Sequence, residues 1–531
     1  MPRCSDIIIF SSHPPRAVAR LVAQIHAEVP KARVRGILYQ LPPRKGVSTQ
    51  NGSGLRQGLR KGLEALGSMV LRFIHACPAR PNGPTEFRLK DLIGFCKEQG
   101  CAVLTTRNLQ RPEATQFVRE LRADLGIVYG TRTAAPELFA LPRHGSILVH
   151  KGAVPDCKDT VPPGYPEMAE GRQLIHIRVR RFGTADKELK SSILPIDPYD
   201  TLTSIALKTQ LVGKDLLVRT VADFVQEKIQ ETSPTSPGED SPSSAPALLK
   251  SYETRKAFVN LIFRSMRGRS EWKLLLKSAL FLPWLVLRNW SRRVRGSAPV
   301  IILYHHLVSD RPHYLGVPTE TFFRHVEFLK RHYRIASLEE ATEALKSGRV
   351  RTPTVVLTLD DGYRENFINL RAIAEETGIP VSLFISTAHI TEQRIFQHDQ
   401  KRLEYGFLPL TWEQICCMHR SGFEIGSHTR THFDCGSSDP VALECEIAGA
   451  KEDLNLQVGQ RVKFFSFPWG QPANMSSEAV ALARATYPYV LSAHGGENSP
   501  SRNGPPWHLL RRNHFNDLWE LELELQAILG G

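Results

Sequence analysis

The run Thr358-Leu359-Asp360-Asp361-Gly362 sets two adjacent carboxylates at the end of an apolar stretch, TVVL. α/β folds gather their chemistry at the C-terminal ends of strands, so one acid of the pair can hold a metal while its neighbour stays free as a base. A second cluster, Ser427-His428-Thr429-Arg430-Thr431-His432, also follows a strand-like run and contains H-x-x-x-H. On a helical turn that spacing brings two imidazoles to one face. One aspartate and two histidines make three protein ligands and leave a coordination position for water, the pattern of a catalytic metal site rather than a structural one. Zinc suits such a donor set among the divalent ions. Alone, Asp-Asp-Gly is more often a turn and H-x-x-x-H a surface pair. Together, in order and each behind a strand, they point to metal-assisted hydrolysis.

The elements that must position these groups are short and regular. From Pro299 onward VIILYHHL, TVVLTLDDG, IPVSLFIST, FEIGSHT and VKFFSFPWG read as strands or strand ends, and TFFRHVEFLKRH, ENFINLRAIAEETG and TWEQICCMHRSG have helical spacing between them. Sustained alternation of this kind predicts a β/α barrel. Nearer the start, DIIIF, RVRGILYQ, CAVLTT, LGIVYG and SILVH alternate with helix-like stretches such as FRLKDLIGFCKEQG, which predicts an open parallel α/β sheet. Between the halves, QETSPTSPGEDSPSSAPA from Gln230 to Ala247 has almost nothing to bury and is expected to be a disordered linker. The expected boundaries are residues 1–229, a Ser/Pro-rich linker at 230–250, a basic connecting segment at 251–298, and a barrel at 299–531.

The connecting segment mixes cations with apolar residues. Its run ALFLPWLVL, Ala279 to Leu287, is far below the roughly 20 residues needed to span a bilayer, and Pro283 interrupts it. With Lys277 before it, Arg288, Arg292, Arg293 and Arg295 after it, and Trp284 and Trp290 within the region, it suits the headgroup layer of an anionic membrane. It equally suits a helix packed on the barrel with its basic side in water.

Composition narrows the class. The 531 residues exceed one hydrophobic core, and 41% hydrophobic with 23% charged residues excludes a collagenous, disordered or membrane-embedded chain. Lys and Arg number 68 against 54 acids, which admits anionic partners, but no aromatic-rich nucleic-acid module accompanies the charge and no DNA or RNA partner is expected. The 9 cysteines lack C-x-x-C spacing, so reduced thiols are expected. The opening MPRCSDIIIF has too short an apolar run for an export signal, and a cytoplasmic location, peripheral at the inner membrane if the basic segment binds lipid, is the expectation.

From about Pro299 to His514 the chain resembles the polysaccharide deacetylase family of carbohydrate esterases. Ile302-Leu303-Tyr304-His305-His306 looks like the family's first strand, TLDDG its paired-Asp motif, GSHTRTH its metal-histidine motif, and Phe467-Pro468-Trp469-Gly470 a variant of its third motif. The resemblance implies a distorted, incomplete β/α barrel that removes acetyl groups from an N-acetylated sugar or polysaccharide. By the same transfer, Asp361, His428 and His432 hold a divalent ion, Zn2+ being the expected one, and Asp360 takes a proton from the attacking water. The backbone near Trp469 helps hold the oxyanion, with Trp469, Pro468 and Arg511 expected at the substrate. For the general acid the family's late Leu-x-His is replaced by Trp507-His508-Leu509, which leaves His305 as first choice and His508 as second.

Residues 6 to about 225 resemble the formyltransferases that use formyl-tetrahydrofolate, through Asp124-Leu125-Gly126-Ile127-Val128-Tyr129-Gly130, Pro136-Glu137-Leu138-Phe139, Gly145-Ser146-Ile147-Leu148-Val149-His150 and Asp200-Thr201-Leu202. Active members polarise the formyl carbonyl with an Asn two residues before a His, and use a later Asp. Here His150 is present and Asp186 matches the acid, but Leu148 stands at the Asn position, and Lys151 and Lys187-Glu188 replace further family residues. Leucine donates no hydrogen bond, and losing such a donor costs on the order of 3 kcal/mol. A formyltransferase-like accessory domain without formyl transfer is therefore expected. Two alternatives are a sugar formyltransferase acting on the freed amine and a non-catalytic glycan-binding protein.

Overall fold

The structure is a computed structural model. It describes residues 5–41, 87–131, 135–152, 163–182, 188–229, 284, 287, 288, 291, 292, 294–400, 406–500, 508–513, 518, 521 and 525. They fall into two compact units, one running to residue 229 and the other from residue 284 on. The expected linker at 230–250, Asp186, Lys187, Trp507 and most of the basic segment lie outside the described residues.

The first unit is built on one seven-stranded sheet in the order β3-β2-β1-β4-β5-β6-β7. Its strands are β1 (Ser5–Ser11), β2 (Ala32–Gln40), β3 (Ala102–Thr106), β4 (Leu125–Tyr129), β5 (Ser146–Lys151), β6 (Leu174–Arg181) and β7 (Glu188–Pro195). Strands β1 to β5 run parallel and β6 and β7 antiparallel. The central β1 is buried on both faces, as its unbroken Ile7-Ile8-Ile9-Phe10 run requires. Ile7 and Ile9 join one apolar cluster with the helices Pro15–Glu28 and Leu202–Val225, and Ile8 and Phe10 another. Thr201 caps the second helix by accepting from the Ser204 amide. Leu148 on β5 is partly buried and packs against the cluster that holds Phe10, Val128 and Phe139.

The second unit contains β8 (Val300–His305), β9 (Leu307–Val308), β10 (Gly316–Val317), β11 (Arg334–Ile335), β12 (Thr354–Leu359), β13 (Ser382–Ile385), β14 (Glu424–Ser427), β15 (Phe464–Ser466), β16 (Tyr489–Ser492) and β17 (His508–Asn513). Seven parallel strands close into a ring, β8-β12-β13-β14-β15-β16-β17 and back to β8, and β11 adds to β12 outside it. The barrel is one strand short of eight yet fully closed in its hydrogen bonding, which leaves no edge among those seven. Both described units are thus α/β. Because every ring strand points the same way, their C-terminal ends share one rim.

Side-chain alternation divides the ring. Val300, Ile302, Val356, Phe384, Phe464, Leu491 and Leu509 pack into one cluster. Two residues further along each strand, the same inward phase falls on Tyr304, Thr358, Ser466 and Arg511, and then on His306 and Asp360. The apolar interior of the barrel is therefore the floor of a polar mouth.

Candidate active site

Strand β12 delivers both acids because its backbone breaks phase. Successive strand residues face opposite ways, but Asp361 is left-handed at φ 72° and Gly362 follows at φ 93°, with the Gly362 amide donating to the Asp360 carbonyl at 2.9 Å. This turn brings the second carboxylate into the mouth beside the first. A Cβ at Gly362 would stand 3.0 Å from Ile385 Cδ1, so the position is tight as well as left-handed.

Asp360 is gripped by Arg511. The guanidinium forks onto the carboxylate at 2.7 and 2.8 Å, and also donates to Ser466 Oγ and, at 3.3 Å, to Thr358 Oγ1. It lies over the rings of Tyr304 (4.8 Å) and Phe384 (5.3 Å). Burial opposes ionisation of Asp360, but Arg511, with His428 and His306, more than offsets it and holds the carboxyl below its usual range. Arg511, expected at the substrate, is instead wholly buried and serves the carboxylate. Removing one partner of a buried pair strands the other charge, so Arg511→Met is expected to cost about 3–5 kcal/mol of folding stability. Arg511→Lys, which keeps charge but not the fork, should recover only part of it. Urea denaturation of the three proteins measures both.

His428 and His432 meet Asp361 through a loop, not a helical turn. Strand β14 ends at Ser427, and Thr429 (φ 62°) and His432 (φ 55°) are both left-handed, so the helix expected from H-x-x-x-H is absent and the backbone folds the imidazoles together. Glu446, in the helix Pro440–Val458, holds this loop by accepting from the Arg430 and Thr431 amides at 2.9 Å and from Thr431 Oγ1 at 2.7 Å. Arg430 forks onto Asp453 of the same helix. Neither acid was singled out by sequence reasoning, since nothing near them in the chain marks a loop clamp.

The donor atoms of Asp361, His428 and His432 all lie within 4.8 Å of one another. His428 Nε2 is 3.6 Å and His432 Nε2 3.3 Å from Asp361 Oδ1. Four donors around a zinc ion at 2.0–2.1 Å stand about 3.3 Å apart, so these separations suit a shared ion. His428 Nδ1 lies 2.8 Å from the Ser466 carbonyl, which obliges Nδ1 to carry the proton and leaves the Nε2 lone pair facing Asp361. Burial lowers the pKa of both imidazoles, keeping them neutral as ligands must be. Burial, then Asp360 and Asp399, pushes Asp361 well above the usual carboxyl range, and among the described residues neither of its oxygens has a hydrogen-bond donor. A buried carboxylate without a donor beside two neutral imidazoles fits a divalent cation.

The two histidines considered for proton donation lie elsewhere. His305 is one residue out of phase with the inward set, is 2% exposed, and meets Phe322 edge-on at 5.1 Å on the helix side. His508 is likewise out of phase with Leu509 and Arg511, its ring 6.1 Å from His494. The inward imidazole is His306, whose ring lies 5.8 Å from Tyr304. Burial lowers its pKa to about 3 against the opposing pull of Asp360. The period-two pattern of VIILYHH carried this signal, because Ile302 inward implies His306 inward.

Trp469 is left-handed at φ 55°, 49% exposed, and sits edge-on to His432 at 4.5 Å, forming the rim. Pro468 is buried beneath it and its carbonyl accepts from the Gly470 amide at 2.6 Å.

Residues 347–489 match the family model described as polysaccharide deacetylase, and the second unit thus carries a domain of that family. A Bacillus subtilis (strain 168) protein described as a polysaccharide deacetylase, YxkH, is 24% identical over 184 residues, which is 34% of this chain and 60% of that relative. Among solved structures, a Streptococcus pyogenes deacetylase, PplD, in complex with acetate is 20% identical at a TM-score of 0.36, covering 44% of this chain and 98% of its own. For the first unit, phosphoribosylglycinamide formyltransferase from Bacillus halodurans is 12% identical at a TM-score of 0.28, covering 42% of this chain and 96% of its own.

Proposed function

We propose that the chain is a metal-dependent hydrolase that removes acetyl groups from an N-acetylated sugar or polysaccharide, with domains at 1–229 and 299–531. The observation that carries this reading is the orphaned, buried Asp361 carboxylate within 4.8 Å of two neutral imidazoles, beside a second carboxylate held by its own arginine. A bound divalent ion, Zn2+ by the donor set, supplies Lewis-acid polarisation of the amide carbonyl and a lowered pKa for water. Asp360, kept ionised by Arg511, takes the proton of the attacking water. The proton that Asp360 takes from the water goes on to the departing amine, with His306, neutral and on the same inner face, as its relay. The exposed ring of Trp469 offers an apolar wall to the sugar.

The test is release of acetate from N-acetylated oligosaccharides by the purified chain, followed with time. No release from oligomers of any length would overturn the reading.

The first unit is read as a formyltransferase-like accessory domain without formyl transfer, because Leu148, which packs against an apolar cluster, has no hydrogen bond to donate. With formyl-tetrahydrofolate and an amino sugar, the full chain is expected to give no transfer above the rate without protein, and Leu148→Asn no more than traces. Transfer at ordinary enzymatic rates would favour the formyltransferase reading instead. Membrane-surface binding by residues 251–298 draws on exposed Trp284, but Arg292 is committed to Glu497 at 2.6 and 3.1 Å. No helix among the described residues is long and apolar enough to cross a membrane.

A further inference from the structure

The loop that carries both histidine ligands is held on two sides by groups outside the motifs that marked the site. Thr429 and His432 are left-handed, a backbone state that residues with a Cβ hold only when the surrounding structure enforces it. One side is the turn that follows β13. The His428 amide donates to the Ile385 carbonyl at 2.9 Å, and three successive loop carbonyls each meet a donor: His428 takes Ser386 Oγ at 2.9 Å, Thr429 the Thr387 amide at 3.2 Å, and Arg430 the Ala388 amide at 2.8 Å. The pairing of β13 with β14 is thus carried on past the end of both strands.

The other side is one face of the helix Pro440–Val458. Glu446, Gly449 and Asp453 stand at i, i+3 and i+7, so they follow one another along that face. A Cβ at Gly449 would stand 2.6 Å from Arg430 Cζ, and the glycine therefore leaves the gap in which the guanidinium lies. Asp453 closes that gap: its Oδ2 takes Arg430 Nε at 2.9 Å and also Thr387 Oγ1 at 2.7 Å, which ties the two sides together. Glu446, 8% exposed, is the member that reaches the backbone. Its Oε2 alone accepts from the Arg430 and Thr431 amides, the peptides lying between the two ligands, and Oε1 accepts from the Thr431 hydroxyl.

We propose that Glu446 is a positioning residue for the metal centre: by fixing the Arg430 and Thr431 peptides it holds the His432 imidazole at the spacing from His428 and Asp361 that a shared ion needs. The inference rests on the metal-dependent reading above. Without the carboxylate two buried amides lose their acceptor, the left-handed turns relax, and part of the ion's binding free energy is spent on rebuilding the loop.

The readout is Zn2+ affinity of the full chain, measured by competition with a chromophoric chelator below each variant's metal-free melting transition, so that it is independent of turnover. Glu446→Ala is expected to weaken Zn2+ binding about 10- to 100-fold, the range seen when a group that orients metal ligands is lost. Glu446→Asp, which keeps the charge but draws both oxygens back from the amides, should weaken it about tenfold. Glu446→Gln keeps an oxygen that can accept from both amides and gains an N–H for Thr431 Oγ1, so it should stay within about fivefold of wild type. Leu454, fully buried in the same helix, offers the loop no hydrogen bond. Leu454→Ala should lower the melting temperature yet leave Zn2+ affinity within about twofold, which separates lost stability from lost positioning. The proposal is overturned if Glu446→Ala or Glu446→Asp binds Zn2+ within about twofold of wild type, if Leu454→Ala loses as much affinity as Glu446→Ala, or if Gln is as weak as Ala, which would assign the effect to charge instead of hydrogen bonding. A wild-type chain that binds no Zn2+ overturns the metal-dependent reading itself.

Discussion

Asp360→Asn is expected to lower turnover by about 10²- to 10⁴-fold while the protein keeps its bound metal. The substitution preserves shape and leaves an acceptor oxygen for Arg511, but an amide cannot take a proton from water. The ligand set is unchanged, because Asp361, His428 and His432 are contributed separately. A structural explanation is testable in the same preparation, since Arg511 loses its charged partner and some stability goes with it. Elemental analysis for metal, a melting curve and steady-state acetate release together separate the cases. Full-length folded protein with wild-type metal content and turnover within threefold of wild type would remove Asp360 from the role of base.

How far the site was legible in the sequence depends on where each contribution lies in the chain. Asp360, Asp361, His428 and His432 are legible because each pair is local and follows an apolar strand, so motif and topology agree. The geometry between His428 and His432 is not local: H-x-x-x-H fits a helical turn, but the loop is shaped by left-handed Thr429 and His432 and by Glu446 from a helix further on. An arginine near a late strand end fits a substrate contact as well as a buried ion pair, and only the closure of β17 on β8 brings Arg511 opposite Asp360. His305 and His306 differ by a single residue, yet the pleat sends one to the helix layer and the other into the mouth. His398, Asp399 and Tyr363 carried no readable signal, since the Tyr363 hydroxyl meets His398 Nε2 and Asp399 Oδ2, each at 2.9 Å, only once a short helix packs against the turn after β12.

Fold legibility follows the same division. The alternation of apolar strands and amphipathic helices was sufficient for both units, and the strand read at DIIIF is β1, which the structure covers on both faces. Closure of the barrel by seven strands was not readable, because it depends on the register of β17 against β8, residues about 200 apart in sequence. Leu148 shows the two levels meeting: its hydrophobic side chain could be read as a lost donor, and the structure packs that side chain, partly buried, against an apolar cluster.

His428→Ala should abolish both metal binding and acetate release, which distinguishes it from Asp360→Asn. The imidazole is buried, its Nδ1–H is held by the Ser466 carbonyl, and its Nε2 faces Asp361 Oδ1. Alanine removes one of three donors and leaves a carboxylate and a single imidazole. Metal affinity should fall by more than the roughly 10- to 100-fold seen when only an outer-sphere partner is lost. Chelator treatment of the wild-type chain should likewise stop acetate release, and added Zn2+ should restore it to the wild type but not to His428→Ala. The alanine also strands the Ser466 carbonyl, whose lost partner costs about 1–3 kcal/mol, so the variant is to be compared with wild type below both melting transitions. Acetate release by the wild type that persists through complete chelation, or a His428→Ala protein that retains metal and turns over, would place the chemistry away from Asp361, His428 and His432. Loss of metal with unaltered turnover would assign those residues a structural ion instead of a catalytic one.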